Sequence, residues 1–243
     1  MLIKFLQKIS AYISKKNKDY NLKKTWQNTL SQKLNIEQRF NSIYKNNLWG
    51  DPESVSGPGS SLAYTKNLRA KLPKLISDYK IKSVFDAPCG DLNWMKYLLP
   101  KLSIKYIGGD IIKDLIDQHK KFFENETIKF VHINLIEEKF PKVDLMICRD
   151  CLFHLSYKDI KGVLQNFIKA EIKYLLTTTF IEGRPHRDII SGDFRRLNLF
   201  QEPFSFNKNP LERIDDSIYP YPCRQICLWS RSQVADALAS MKN

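Results

Sequence analysis

The stretch from Ile81 to Asp110 constrains this chain most, because it reads as a strand, a glycine turn, a helix and a second strand that ends in a carboxylate. Val84 and Phe85 make a short apolar strand, Asp86 stands at its carboxyl end, and Gly90 permits a tight turn. Asn93 to Leu99 predicts a helix that Pro100 helps to end, and the run from Ile104 predicts a second strand closing on Asp110. In a unit of this kind, ligands bind in the crevice beyond the strand ends. An acid after the second strand can accept the hydroxyl protons of a ribose.

The turn then discriminates between nucleoside ligands. A dinucleotide site needs several glycines so that backbone amides approach a pyrophosphate, whereas this turn has only Gly90 and adds two acids, Asp86 and Asp91. Carboxylates repel phosphate. They suit a ligand carrying an ammonium and a sulfonium, which describes S-adenosylmethionine. With the acid Asp86 and the middle glycine Gly90 in place, the chain resembles class I S-adenosylmethionine-dependent methyltransferases, whose first motif runs acid-x-Gly-x-Gly-x-Gly. It departs from that motif in having Pro88 and Leu92 where the outer glycines usually stand. The other reading of these residues is an ordinary strand-to-helix turn of a different α/β protein. The resemblance implies a doubly wound, mostly parallel seven-stranded sheet, here with a helical amino-terminal extension.

The 243 residues, 43% hydrophobic and including four Trp, 14 Phe and 11 Tyr, suffice for one sizeable core and argue against disorder. No apolar run reaches the roughly 18 residues of a spanning helix, and no small-residue cleavage site follows the basic start. An odd count of five cysteines suits reduced thiols in a cytoplasm. The spacings Cys148 to Cys151 and Cys223 to Cys227 lack accompanying histidines, so no metal is expected.

The net charge of +13 is concentrated: residues 1–50 hold ten Lys or Arg against two acids. Leu2, Phe5, Leu6, Ile9, Tyr12 and Ile13 recur at helical spacing opposite Lys4, Lys8, Lys15 and Lys16. This basic amphipathic helix suits packing on its own domain or a second subunit, with peripheral contact of residues 1–16 with an anionic membrane left open. Nucleic acid is disfavoured, since neither an RNA-recognition signature nor zinc-finger spacing is present. A second helix begins at Asn35, with Gln38 completing a capping box, and runs through Ile36, Phe40, Ile43 and Tyr44. Residues 1–47 therefore read as a basic helical extension, and residues 48–243 as the catalytic domain.

Leu48 to Leu62 concentrates Gly, Pro and Ser, reads as a loop before a helix from Ala63 to Tyr79, and carries Trp49 and Glu53, which a plain linker rarely does. It resembles the loop preceding the first strand in a bacterial subgroup of these methyltransferases. The resemblance implies that it folds over the cofactor, with Trp49 in it, Gly57 and Gly59 allowing close approach, and Ser56 and Ser60 donating to the methionine carboxylate. It also implies that Asn134, closing a third strand, meets the adenine amino group, and that Asp86, Gly90, Asp91, Asp110 and Arg149 complete the cofactor set.

Lys142 to Cys148 predicts a fourth strand, which places the segment from Arg149 to His154 at the same edge. Methyl transfer to a hydroxyl needs alignment and removal of a proton, for which Asp150 and His154 are the candidates. A histidine bonded to backbone and an aspartate capping a helix or paired with Arg149 are the alternatives. After a fifth strand, Glu171 to Phe180, a long polar and aromatic stretch carries Arg184, Arg187, Arg195 and Arg196. Guanidinium forks match phosphate or carboxylate. Arg187, Arg195 and Arg196 are the candidate acceptor clamp, against a solvated loop with internal ion pairs. Gln225 to Ser230 predicts the last strand.

Together these readings predict a cytoplasmic, or peripherally membrane-bound, methyltransferase. The expected acceptor is a small anionic molecule, such as a sugar or phosphorylated precursor of bacterial surface polysaccharide. The alternatives are an RNA or protein methyltransferase and a non-catalytic nucleoside-binding module.

Overall fold

The computed structural model describes residues 34–182, 187–219 and 221–241. The basic amphipathic segment at residues 2–16 and Arg184 lie outside them. Twelve elements of length follow in the order α1 (Ile36–Lys45), α2 (Lys66–Asp78), β1 (Ser83–Asp86), β2 (Lys105–Asp110), α3 (Lys113–Phe123), β3 (Ile128–His132), β4 (Leu145–Cys148), α4 (Tyr157–Lys169), β5 (Tyr174–Phe180), β6 (Glu212–Asp215), β7 (Arg224–Ser230) and α5 (Arg231–Ser240). The strands form one sheet in the order β3-β2-β1-β4-β5-β7-β6. β1 to β5 are parallel, and β7 runs antiparallel between β5 and β6. The order reverses between β1 and β4, and that reversal opens the crevice in which doubly wound sheets bind ligands.

Alternation along the strands builds a core on each face of the sheet. Val84, Leu145, Ile147 and Leu176 pack with Leu68, Leu72, Leu75 and Ile76 of α2 and Ile116 of α3. Phe85, Met146 and Leu175 point the other way, onto Ile160, Val163, Leu164 and Phe167 of α4 and Val234 and Ala237 of α5. Each Val, Leu, Ile, Phe or Met side chain so buried contributes about 1.5–3 kcal/mol. α1 begins with the capping box of Asn35 and Gln38, and Ser156 caps α4.

The helix expected over Asn93 to Leu99 is instead two short 3-10 turns, Met95–Tyr97 and Leu99–Lys101. Leu92 takes a left-handed φ of 55°, and Trp94, Met95, Leu98 and Leu99 are all buried. The segment therefore has too narrow a polar face to ride as a surface helix, and Pro100 falls before a second turn is complete. The polar stretch after β5 is also only partly a surface loop. Leu197, Leu199, Phe204 and Phe206 return to the core, and Trp229 packs edge-on to Phe206 at 4.9 Å. β6, absent from the sequence reading, is an edge strand of which Ile214 alone is buried.

Candidate active site

A cleft of about 1060 Å³, counting its open mouth, lies at the carboxyl ends of β1, β2 and β4. Asp86 closes β1 and Asp110 closes β2, and both are buried in its wall. Asp110 Oδ2 accepts from Gly90 N at 3.0 Å and its Oδ1 from Ile112 N at 3.0 Å, so one carboxylate fixes both the turn and the start of the next helix. Gly90 has a φ of 56°, and a Cβ there would run into Ser56 Oγ. His119 of α3 holds the same turn from behind, with Nε2 at 2.7 Å from Gly90 O. Asp86 accepts from the Tyr106 hydroxyl at 2.8 Å. Burial nevertheless pushes its carboxyl up to about 7, against the pull of that hydrogen bond and of Arg149. Burial also raises Asp110, opposed by its backbone donors.

Two carboxylates fasten the loop of residues 48–62 over this turn. Asp91 Oδ2 accepts from Ser54 Oγ at 2.8 Å and Val55 N at 3.0 Å. Glu53 Oε1 accepts from Asn93 Nδ2 and from Leu62 N, both at 2.7 Å. Asp91 and Gly57, predicted to touch the cofactor, do not line the cleft. Asp91 is the loop's anchor, and Gly57, at a φ of 90°, lets the chain pass Trp49. Trp49, Ser56 and Ser60 do line it, but the Ser56 hydroxyl is engaged with Asp91, donating at 3.3 Å and accepting from its N–H at 3.0 Å. Gly59 packs so tightly that a Cβ would collide with the Asp150 carboxylate.

Behind the loop is a buried charge quartet. Arg149 Nη2 lies 3.0 Å from Asp216 and Nη1 3.2 Å from Asp150, while Arg224 Nη2 lies 3.0 Å from Asp150 and 2.8 Å from Asp216. Tyr64 stacks on Arg224 at 4.3 Å. Burial opposes the charge on Asp150, but Arg149 and Arg224 outweigh it and hold the carboxyl below the usual range. Thr178 adds a hydrogen bond at 3.0 Å. Asp216 is shifted up, burial outweighing the same two cations. Among the described residues Arg149 Nε has no hydrogen-bond partner, although Arg149 is buried and lines the cleft. Neither Asp216 nor Arg224 was singled out from the sequence.

His154 also lines the cleft, beneath the Trp49 ring at 5.5 Å and beside Phe153 and Phe194. Its Nδ1 lies 2.8 Å from the Asp193 carbonyl, which fixes the proton on that nitrogen and leaves Nε2 as an acceptor. Burial lowers the ring to about 4, so it is neutral at physiological pH. Asn134 lines the adjoining wall, with its Oδ1 accepting from Ile136 N at 3.1 Å.

The three arginines expected to clamp an acceptor are not brought to the cleft. Arg195 is buried elsewhere, donating to Leu155 O at 2.7 Å and lying over the Tyr157 ring at 4.9 Å. Arg187 and Arg196 are exposed. α1, read as part of an extension, contributes a wall of the cleft through Ile36, Phe40 and Tyr44. Their helical spacing was visible in the sequence, but not what they face. Among the described residues no group of metal-ligating side chains occurs, and no helix is long and apolar enough to cross a membrane.

No family model matches this sequence. No curated protein matches it either. Solved structures do. A SAM-dependent methyltransferase of Leishmania major superposes with a TM-score of 0.60 at 14% identity, over 84% of this chain and 89% of its own. The 1,6-didemethyltoxoflavin N1-methyltransferase of Burkholderia thailandensis, with S-adenosylhomocysteine bound, gives 0.57 at 15% identity over 80% and 86%. The magnesium protoporphyrin IX methyltransferase of Synechocystis, with SAM bound, gives 0.53 at 12% over 82% and 98%. At these identities the likeness is one of fold, the seven-stranded Rossmann-like fold of these methyltransferases.

Proposed function

We propose that the protein is a class I methyltransferase that takes its methyl group from S-adenosylmethionine and passes it to a small molecule. The observation that carries this reading is the pairing of Asp86 and Asp110 at neighbouring strand ends around a turn with one glycine. Such a wall accepts ribose hydroxyls and an ammonium and rejects a pyrophosphate. Asp110 is assigned to the ribose and Asp86 to the ammonium. Arg149, through its unpartnered Nε, is assigned to the methionine carboxylate. Asn134, with Ile111, Ile112 and Leu135, is assigned to the adenine. The ligand-bound neighbours of the same fold support the choice of cofactor.

When bound, S-adenosylmethionine supplies an electrophilic methyl group whose bond to sulfur breaks as the bond to the acceptor forms, the electron pair staying on sulfur. The chain's own part is to align the acceptor and receive its proton. Asp150 is held by two guanidiniums and a hydroxyl, so it is a poor base. His154, neutral with Nε2 open, is assigned that role. The anionic sugar or phosphorylated acceptor suggested by the arginine-rich loop draws no support from the cleft, which Arg187, Arg195 and Arg196 do not line.

Calorimetry tests the cofactor. S-adenosylhomocysteine is expected to bind with one site per chain, and NAD not at all. Binding of NAD in preference would overturn the reading.

A further inference from the structure

The part of the cleft wall left after the cofactor assignments is distinctive. It includes Ile36, Phe40 and Tyr44 of α1, with Trp49, His154 and Leu155. α1 is held across the mouth from both sides. Arg39 Nη1 donates to Ser191 O at 3.2 Å, and Glu37 lies 3.4 Å from His132 at the end of β3. Among the described residues the charged groups lining the whole cleft are Asp86, Asp110, Asp150 and Arg149, and Arg149 already faces two carboxylates. Among the described residues no cation is left to meet an anionic acceptor, which would lose its water beside three acids at a cost of several kcal/mol.

We infer that the acceptor is an uncharged, flat, largely apolar molecule bearing an acidic hydroxyl, a phenol or an enol, held by Phe40 and Tyr44 of α1 against Trp49 with its hydroxyl towards His154. The inference rests on the methyltransferase reading above and narrows its substrate. Aromatic walls stack on planar rings and reward burial of apolar area. The weak basicity of His154 agrees, because a neutral imidazole of low pKa takes a proton far more readily from a phenol, at about 10, than from an aliphatic alcohol. In the transfer the new bond joins the acceptor oxygen to the methyl carbon, and the hydroxyl proton passes to His154 Nε2 and then to water.

The test is calorimetric, on the full chain saturated with S-adenosylhomocysteine, with 2-naphthol and glucose 6-phosphate as probes. Saturable binding of 2-naphthol and none of glucose 6-phosphate is expected. Phe40→Ala and Tyr44→Ala should each weaken 2-naphthol at least fivefold while leaving S-adenosylhomocysteine within twofold of its original affinity. Phe40→Leu, which keeps volume and α1 in place, should weaken it less than Phe40→Ala, and it remains informative if the alanine variant unfolds. Binding of glucose 6-phosphate in preference, binding of neither probe, or naphthol binding indifferent to all three substitutions would overturn the inference. Failure of S-adenosylhomocysteine itself to bind would sink the cofactor reading instead. Naphthol titrated into the protein alone would still report on the aromatic wall.

Discussion

Asp150 Oδ2 lies 3.0 Å from Nη2 of Arg224, a residue 74 positions later in the chain, and the same oxygen lies 3.2 Å from Arg149. Two candidate bases of the sequence thereby part company. Asp150 is structural, whereas His154 keeps an open nitrogen. Asp150→Ala should leave Arg224 and Arg149 short of a counter-charge in a buried site, costing about 3–5 kcal/mol of stability. Denaturant unfolding measures it, and a loss under 1 kcal/mol would contradict the assignment. His154→Ala should instead leave the fold and the affinity for S-adenosylhomocysteine intact and lower kcat by about 10² or more. Because the ring is already neutral above about 4, the contribution of His154 to the rate should be flat from pH 6 to 8.

Asp86 makes the opposite trade between stability and function. Its carboxyl rises from an ordinary 3.8 to about 7 on folding. A raised acid stabilises the fold only while protonated, so its contribution is complete below about pH 4 and is lost as pH climbs through 7. Asp86→Asn, which keeps an acceptor for the Tyr106 hydroxyl, should therefore stabilise the ligand-free protein at pH 8. The gain is up to about 4 kcal/mol, at about 1.36 kcal/mol per tenfold, and should vanish near pH 4. The same variant should lose most of its affinity for S-adenosylhomocysteine. In the original protein that affinity should weaken up to tenfold per pH unit below 7, as Asp86 takes up a proton. Chemical denaturation and calorimetry across pH check both halves.

The crevice was legible in the sequence because its parts are local. Asp86, Gly90 and Asp110 sit in one strand-turn-strand run, and turn chemistry with apolar alternation suffices to place them. The quartet was not legible, since Asp216 and Arg224 reach Arg149 and Asp150 only when β6 and β7 fold back beside β5. The wall from α1 was half legible. Ile36, Phe40 and Tyr44 announced an apolar face, but a helical period does not say whether that face meets a core or a ligand. In the arginine loop, Arg187 and Arg196 are exposed, as charge in sequence suggests. Arg195 is instead drawn inward by the Leu155 carbonyl and the Tyr157 ring.

Asp110 has two duties, and its removal should show both. Asp110→Ala deletes the acceptors for the ribose and leaves Gly90 N and Ile112 N without partners in a buried wall. Affinity for S-adenosylhomocysteine should fall at least tenfold, and stability by about 1–3 kcal/mol for the orphaned donors. An unchanged dissociation constant would remove Asp110 from the site.

Asp91 separates a residue that touches ligand from one that acts through a loop. It does not line the cleft, yet its carboxylate takes hydrogen bonds from Ser54 and Ser56 and from Val55 N, and so ties the loop of residues 48–62 to the β1 turn. Without it, the second anchor at Glu53 still holds the far end of the loop at Leu62 and Asn93. Asp91→Ala should therefore loosen the near half alone. Amide exchange should accelerate at residues 54–57 while the core strands keep their protection. Affinity for S-adenosylhomocysteine should fall because part of the binding free energy now goes into ordering that half. Saturating ligand should slow the exchange again, which distinguishes a loosened loop from a lost contact. If exchange at residues 54–57 is unaltered while affinity collapses, Asp91 contacts the ligand directly and its assignment as an anchor is wrong.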